Sequence, residues 1–272
     1  FKGVSQAIGL GIVGTGGRKA SLDTTFDLLK DGVSPARSFA FLIASRNMTI
    51  HFWSLFALSL GAEFATGQLL GALVMIGIVA FALRFLKLHH IEKLAGNNPG
   101  GGLAMESPGF PSWRSMLFSV SGWQVVLRFI GIEVVRFAPS LLVGILLGGL
   151  IFTAGLQPWW RPFADLFDHA TLFSDLTNSI VAPFLSFIVS LSPFGNLPVV
   201  HALFKTDGLS YAGIISFCLA SSIHPRDLRI YSKAFGRKRA LALSGILYVA
   251  AILGGLSSTW FYAAVGFRPS LP

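Results

Sequence analysis

The chain has one cysteine, Cys218, among 272 residues. That excludes an intrachain disulfide and a cysteine-based metal cluster. Charge is also scarce: Asp, Glu, Lys and Arg make up 12 % of the sequence, against about 25 % in a soluble domain. A chain this poor in charge cannot cover itself with a water-facing surface. Its basic residues are dispersed, with no run longer than Arg237-Lys238-Arg239, so the formal net charge of +9 forms no nucleic-acid-binding stripe. GxSxG and HExxH patterns are missing. Gly14-Thr15-Gly16-Gly17 lacks the Lys-Ser ending of a phosphate loop. His51, His89, His90 and His224 lie at no metal-ligand spacing. The sequence therefore predicts no enzyme, no metal site and no cofactor.

What the chain does have is apolar length. Hydrophobic residues reach 53 % and mean hydropathy is +0.68. A bilayer crossing needs about 20 predominantly apolar residues, and three stretches supply it: about 64–85, 137–156 and 241–264. Other apolar stretches, 4–14, 178–191, 36–45 and 211–221, are too short or are broken by polar residues. A ten-residue helix covers about 15 Å, half a bilayer, so such segments are predicted to be buried in protein or re-entrant. Residues 95–112 are too rich in glycine and proline for a helix, and 113–136, with Trp113, Trp123, Arg128, Glu133 and Arg136, read as an interfacial helix feeding the span at 137.

The chain also repeats itself. DGVSPARSFAFLIAS (31–45) recurs as DGLSYAGIISFCLAS (207–221), with seven of fifteen positions identical and no gap. An internal repeat in an apolar chain is a mark of transporter architecture. The expected fold is all-α: a polytopic membrane protein of two inverted repeats, each with a short broken-helix pair and full crossings. Residues 1–94 form the first repeat, with room for an N-terminal helix ahead of Phe1. Residues 95–121 form the linker and the start of the interfacial helix, and 122–272 the second repeat. Arg84, Lys87 and Lys93, and the cluster from Arg226 to Arg239, place loops 84–121 and 226–239 in the cytoplasm. Asp165, Asp168 and Asp175 beside Trp159 and Trp160 place 157–176 outside. A bacterial inner membrane is the expected location.

Broken helices near the midplane gather free backbone groups and helix ends, where substrate binds in such proteins. Two breaks stand out in the second half, Ser192-Pro193-Phe194-Gly195-Asn196-Leu197-Pro198 and Ser221-Ser222-Ile223-His224-Pro225. In the first half the corresponding breaks are Gly14–Arg18 and Ser45-Arg46-Asn47. The predicted path-lining residues are Ser45, Arg46, Asn47, Ser192, Gly195, Asn196, Ser221, Ser222 and His224. Their hydroxyls, amides and carbonyls suit a neutral or weakly charged small solute, or a dehydrated cation. Asp31 and Asp207 read as N-caps of the repeated short helices.

The segment from Leu191 to Leu256 resembles the bacterial predicted-permease family related to organoarsenical efflux permeases. Ser192–Pro198 stands where that family has C-x-C-G-x-x-P. Phe217–Pro225 stands where it has a run like FLLASPxxNP, echoed in the first half by Phe39–Met48, and Tyr231–Gly236 matches its Y-A-L-F-G step. The resemblance implies a permease fold. Both motif cysteines are replaced, by Ser192 and Phe194, so the soft ligands for a thiophilic cargo are gone. Two functions follow from these readings. One is a permease moving a small solute or ion by alternating access. The alternative is a non-transporting, permease-like subunit of a larger membrane complex, with lipid and other subunits as its partners.

Overall fold

The computed structural model describes residues 2–13, 18–85, 120–166 and 172–266. Among these, every regular element is helical. The first group is α1 (Lys2–Val13), α2 (Arg18–Lys30), α3 (Pro35–Asn47), α4 (Ile50–Leu60) and α5 (Ala62–Ala82). A long helix, α6 (Val120–Gly155), follows, then a 3-10 turn (Pro158–Trp160) and α7 (Arg161–Leu166). The last group is α8 (Leu172–Val189), α9 (Pro193–Lys205), α10 (Tyr211–Leu219) with a 3-10 extension (Ala220–Ser222), α11 (Pro225–Phe235) and α12 (Arg237–Val265).

The two groups of five match in order, and their second and fourth helices match in length, 13 and 11 residues in each group. Val13 and Val189 end equivalent helices, and Pro35 and Tyr211 open equivalent helices, each pair at the spacing of the sequence repeat. The same neighbours pack in each group: α1, α2 and α5 against α3, and α8, α9 and α12 against α10. Gly61 and Gly236 join the fourth helix to the fifth in both, with φ of 104° and 82°. That left-handed region is open to glycine at no steric cost.

The repeated short helices form the centre of the molecule. Residues 38–47 of α3 and all of α10 are buried, as expected of the apolar-all-round α10, whereas α3 also buries Ser38, Ser45, Arg46 and Asn47. Phe39, Leu42, Ile43, Ile214, Ile215 and Phe217 are among the most completely enclosed. Each such side chain contributes roughly 1.5–3 kcal/mol of burial. Among the described residues, three helices are long and apolar enough to cross a membrane, Ala62–Ala82, Phe137–Gly155 and Arg237–Val265, in agreement with the sequence reading. They leave Leu73, Phe81, Leu142, Leu146, Leu150, Phe152, Val249 and Leu253 exposed. A continuous apolar coat of that size suits lipid.

Helix directions follow from close contacts. Glu63 O accepts from Tyr262 Oη at 3.0 Å, Gly67 O accepts from Ser258 Oγ at 2.7 Å, and Gly71 lies against the backbone of Gly254. Residue number rises along α5 as it falls along α12, so these two spans are antiparallel. The span in α6 instead runs parallel to α9: Ser140 meets Ser192, Gly144 meets Gly195, Gly148 meets Pro198 and Gly155 meets Thr206. Small residues four apart on α6 let the two backbones touch, as at close helix crossings in membranes.

Four details differ from the sequence reading. Ser192–Pro198 does not end a helix. Ser190 (φ 51°) breaks the chain, and Pro193 then starts α9, because a proline at the first helical position has no amide to leave unbonded. Asp31 and Asp207 are not N-caps. They sit in the turns that close the preceding helices, and the caps are Ser34 and Ser210; Ser210 Oγ accepts from Gly213 N at 3.3 Å. Residues 226–239 are not a loop, since α11 and the start of α12 cover all of them except Gly236. From Val120 the chain is one helix through Gly155, with Pro139 inside it, rather than an interfacial helix joined to a span. The linker 95–112 lies outside the described residues.

The α6–α9 contact yields a packing test. A Cβ on Gly144 would lie 2.0 Å from Gly195 O, whereas one on Gly77 would meet nothing within 4 Å. Gly144→Val is expected to destabilise the protein by about 1–3 kcal/mol through overpacking, and Gly77→Ala to be neutral or slightly stabilising. Thermal unfolding of the purified variants in detergent checks both.

Candidate functional site

A helix that stops inside a membrane protein leaves its last carbonyls without intrahelical donors. Here α3 stops at Asn47 and the α10 extension stops at Ser222, and the two ends meet. Side chains from both halves satisfy the junction.

Arg46, at the end of α3, is 4 % exposed and Asp227, in the first turn of α11, is 2 % exposed. Arg46 Nη1 donates to Asp227 Oδ2 at 2.6 Å, and also reaches Ser221 O at 3.4 Å. Its Nε donates to Ser21 Oγ at 3.3 Å and its Nη2 to Arg18 O at 3.3 Å, both on α2. The guanidinium thus binds three segments at once, as its planar fork of donors allows. Ser21 is held in turn, since its hydroxyl donates to Arg18 O at 3.0 Å and its carbonyl accepts from Thr25 Oγ1 at 2.7 Å.

Asn47 forms the neutral half of the junction. Its Nδ2 donates to Ile43 O at 3.1 Å and to Ser222 Oγ at 3.3 Å. Its Oδ1 accepts from Ser221 Oγ at 3.2 Å and from Gln68 Nε2, on α5, at 3.2 Å. Gln68 Oε1 is buried and accepts nothing among the described residues.

The structure thus brings Arg46, Asn47, Ser221 and Ser222 into one cluster. The other predicted site residues lie outside that cluster, although Ser45 lines the cavity beside it. Ser45 bonds back to Leu42 O at 3.0 Å. Ser192 caps α9, accepting from Gly195 N at 3.3 Å and donating to Ser140 Oγ at 2.7 Å. Gly195 packs on α6, and Asn196 is buried with its Oδ1 unpartnered among the described residues. His224 caps α11: its Nδ1 accepts from Arg226 N at 3.0 Å, so its Nε2 carries the proton that it shares with Ser190 O at 3.0 Å. That arrangement uses both ring nitrogens on the backbone. Among the described residues no group of three or more His, Cys, Asp or Glu could hold a metal.

Asp227, Gln68 and Ser21 were not singled out by sequence reasoning, and Arg18 was named only as the end of the Gly14–Arg18 break. Two of them did leave a signal. Asp227 shares one helical face with Tyr231 and Phe235, at i, i+4 and i+8, while Arg226, Arg229 and Lys233 face outward. An acid on the apolar face of a basic amphipathic helix implies a buried partner. Gln68 is an amide within the first apolar span, where an unpaired amide is costly.

Beside the junction lies a cavity of about 30 Å³, lined by Arg18, Ser45, Arg46, Thr49, His51, Phe52, Phe137, Pro193 and Phe194. It holds about two water molecules, far less than the roughly 300–1,000 Å³ of a small-molecule pocket. Phe137, Phe52 and His51 pack against the Phe194 ring, with centroids 4.2, 5.7 and 5.6 Å away, and close it on one side.

Comparison with known proteins gives a consistent picture. Residues 1–258 match a family described as predicted permease. The protein named Putative permease Rv2963, from Mycobacterium tuberculosis, is 24 % identical over 275 aligned positions, which cover 97 % of this chain and 67 % of the relative. No solved structure matches significantly.

The ion pair can be tested by a double-mutant cycle. Arg46→Leu or Asp227→Leu alone leaves an uncompensated buried charge and should cost about 3–5 kcal/mol. The double variant should cost no more than either single one. Thermal unfolding in detergent measures all three, and additive losses would show that the pair does not clamp the junction.

Proposed function

Because the chain belongs to the predicted permease family, we propose that it moves a small solute or ion across a membrane by alternating access. The site lies where the interrupted helices of two oppositely oriented repeats meet. The observation that carries this reading is the buried network joining Arg46 and Asn47 to Ser221, Ser222 and Asp227. It places polar groups from equivalent points of both halves at one internal spot, which is where transporters of this architecture bind their cargo.

Inversion of the two halves is supported by the antiparallel packing of α5 and α12, the fifth helices of the two groups. In that arrangement Arg84, after α5, and Arg237, at the start of α12, fall on one side of the membrane. This is the cytoplasmic side of a bacterial inner membrane, by the excess of Lys and Arg. The segment 157–176 lies outside, with Trp159 exposed at the interface. The amphipathic α11 lies along the cytoplasmic surface with Arg226, Arg229 and Lys233 in the headgroups.

The small cavity makes this conformation a closed one, so transport requires a second state in which the junction opens. Polar contacts with modest net worth suit that role better than continuous apolar packing, because they exchange for water or cargo at low cost. In a non-transporting subunit the junction would stay closed.

Two measurements test the proposal. In proteoliposomes swollen against a panel of small neutral and charged solutes, at least one solute should enter. Asn47→Ala should cut its rate tenfold or more. Silence toward every solute, together with stoichiometric co-purification of other subunits, would favour the structural subunit. For orientation, Arg229→Cys and Gln157→Cys in a Cys218→Ala background should react with an impermeant maleimide from opposite faces. Labelling of both from the same face would overturn the assigned topology.

A further inference from the structure

The charges around the cavity do not balance. Arg18 and Arg46 both line it. Asp227 pairs with Arg46 at 2.6 Å and is the only carboxylate in an ion pair there among the described residues. Arg18 gives Nη2 to the Leu191 carbonyl at 2.6 Å, while its Nε is buried and donates to nothing among the described residues. Arg18 is half-buried, and Asp227, the carboxylate that acts on it, is already committed to Arg46; the two guanidiniums therefore keep a net positive charge, and a buried N–H without an acceptor is costly. A small anion beside Arg18 would offset both.

The rest of the lining suits the same ligand. Thr49 is buried and its hydroxyl faces the cavity region, 3.5 Å from His51 Nε2. Arg18 and Pro193 open α2 and α9, so two helices begin at this cavity, and helix starts carry partial positive charge. The lining contains no carboxylate, which makes it a poor host for a cation. The aromatic wall of Phe52, Phe137 and Phe194 lowers the polarity on one side of the cavity and strengthens any charge interaction there.

Resting on the permease reading, and narrowing its cargo, we propose that this cavity binds a small monoanion, an oxyanion or carboxylate of a few heavy atoms. Arg18 is its principal ligand and Thr49 a second donor. The flat guanidinium offers parallel N–H groups that match two oxygens of such an ion. Bound there, the anion neutralises Arg18 while Arg46 stays committed to Asp227. The size of the cavity excludes bulky organic anions in the closed state.

The test uses the full chain in a phospholipid-free sugar detergent, which keeps headgroup phosphates away from the site. Unfolding temperature is titrated with sodium nitrate and with sodium formate, against sodium gluconate at matched ionic strength. Nitrate, formate or both should give a saturable rise that gluconate does not. Arg18→Gln should shift that titration to at least tenfold higher concentration, and Arg229→Gln should leave it unchanged. Should Arg18→Gln fail to fold, Thr49→Ala decides, with an expected weakening of at least threefold. Absence of a saturable rise with either anion, or an unchanged titration in the deciding variant, overturns the proposal. Vesicle flux separates it from the broader reading. Anion binding without flux of any solute would keep the site and remove transport, whereas entry of a neutral solute without anion binding would keep transport and remove the anion.

Discussion

The arrangement of this protein depends on how two helix ends are satisfied away from water. A chain that breaks its helices inside an apolar environment must supply donors to the freed carbonyls, because nothing in hydrocarbon will. Here the supply comes from across the molecule. Arg46 reaches the Ser221 carbonyl, the Asp227 carboxylate and α2, and Asn47 holds Ser221, Ser222 and Gln68. The junction is therefore both the weak point of each half and, beside the α5–α12 packing, a bond between them.

That constraint explains the layered packing. The broken helices α3 and α10 are enclosed by their own group of helices and by neighbours from the other group, α10 against α5, while the unbroken spans carry the lipid-facing surface. Where backbones must touch, as at Gly71 with Gly254 and Gly144 with Gly195, side chains have been reduced to hydrogen. Van der Waals contact then does what burial from water does in a soluble core. The buried ion pair is a different kind of contact. Its net contribution to stability is small against an apolar replacement, but its loss on one side is costly, so it fixes which surfaces meet.

The two halves share a plan and differ in chemistry. In α4 the fourth helix is apolar, Ile50–Leu60, whereas its counterpart α11 is basic outside and apolar inside. Asp227 occupies the position equivalent to His51, and Ser222 that of Arg46, so a charged pair is formed between the halves rather than within each. Asymmetry of this kind concentrates positive charge on one side of the junction, around Arg18 and the cavity.

Composition and pattern alone determined that the chain is helical and membrane-bound, where its three long spans lie, and that a unit recurs at 31–45 and 207–221. These are properties of local hydropathy and spacing, and they do not depend on which segments become neighbours. The short-range rules also had clear limits: proline and glycine at 193–198 read as a helix end, yet Pro193 opens a helix, because a proline stops one helix and starts the next with equal ease. Only the tertiary structure decided that Arg46 pairs with Asp227, that Asn47 meets Ser221 and Ser222, and that Arg18 lines a small cavity. Those partners lie far apart along the chain, and a side chain's hydrogen-bond partner is chosen by the packing of whole helices, which no local window of sequence encodes.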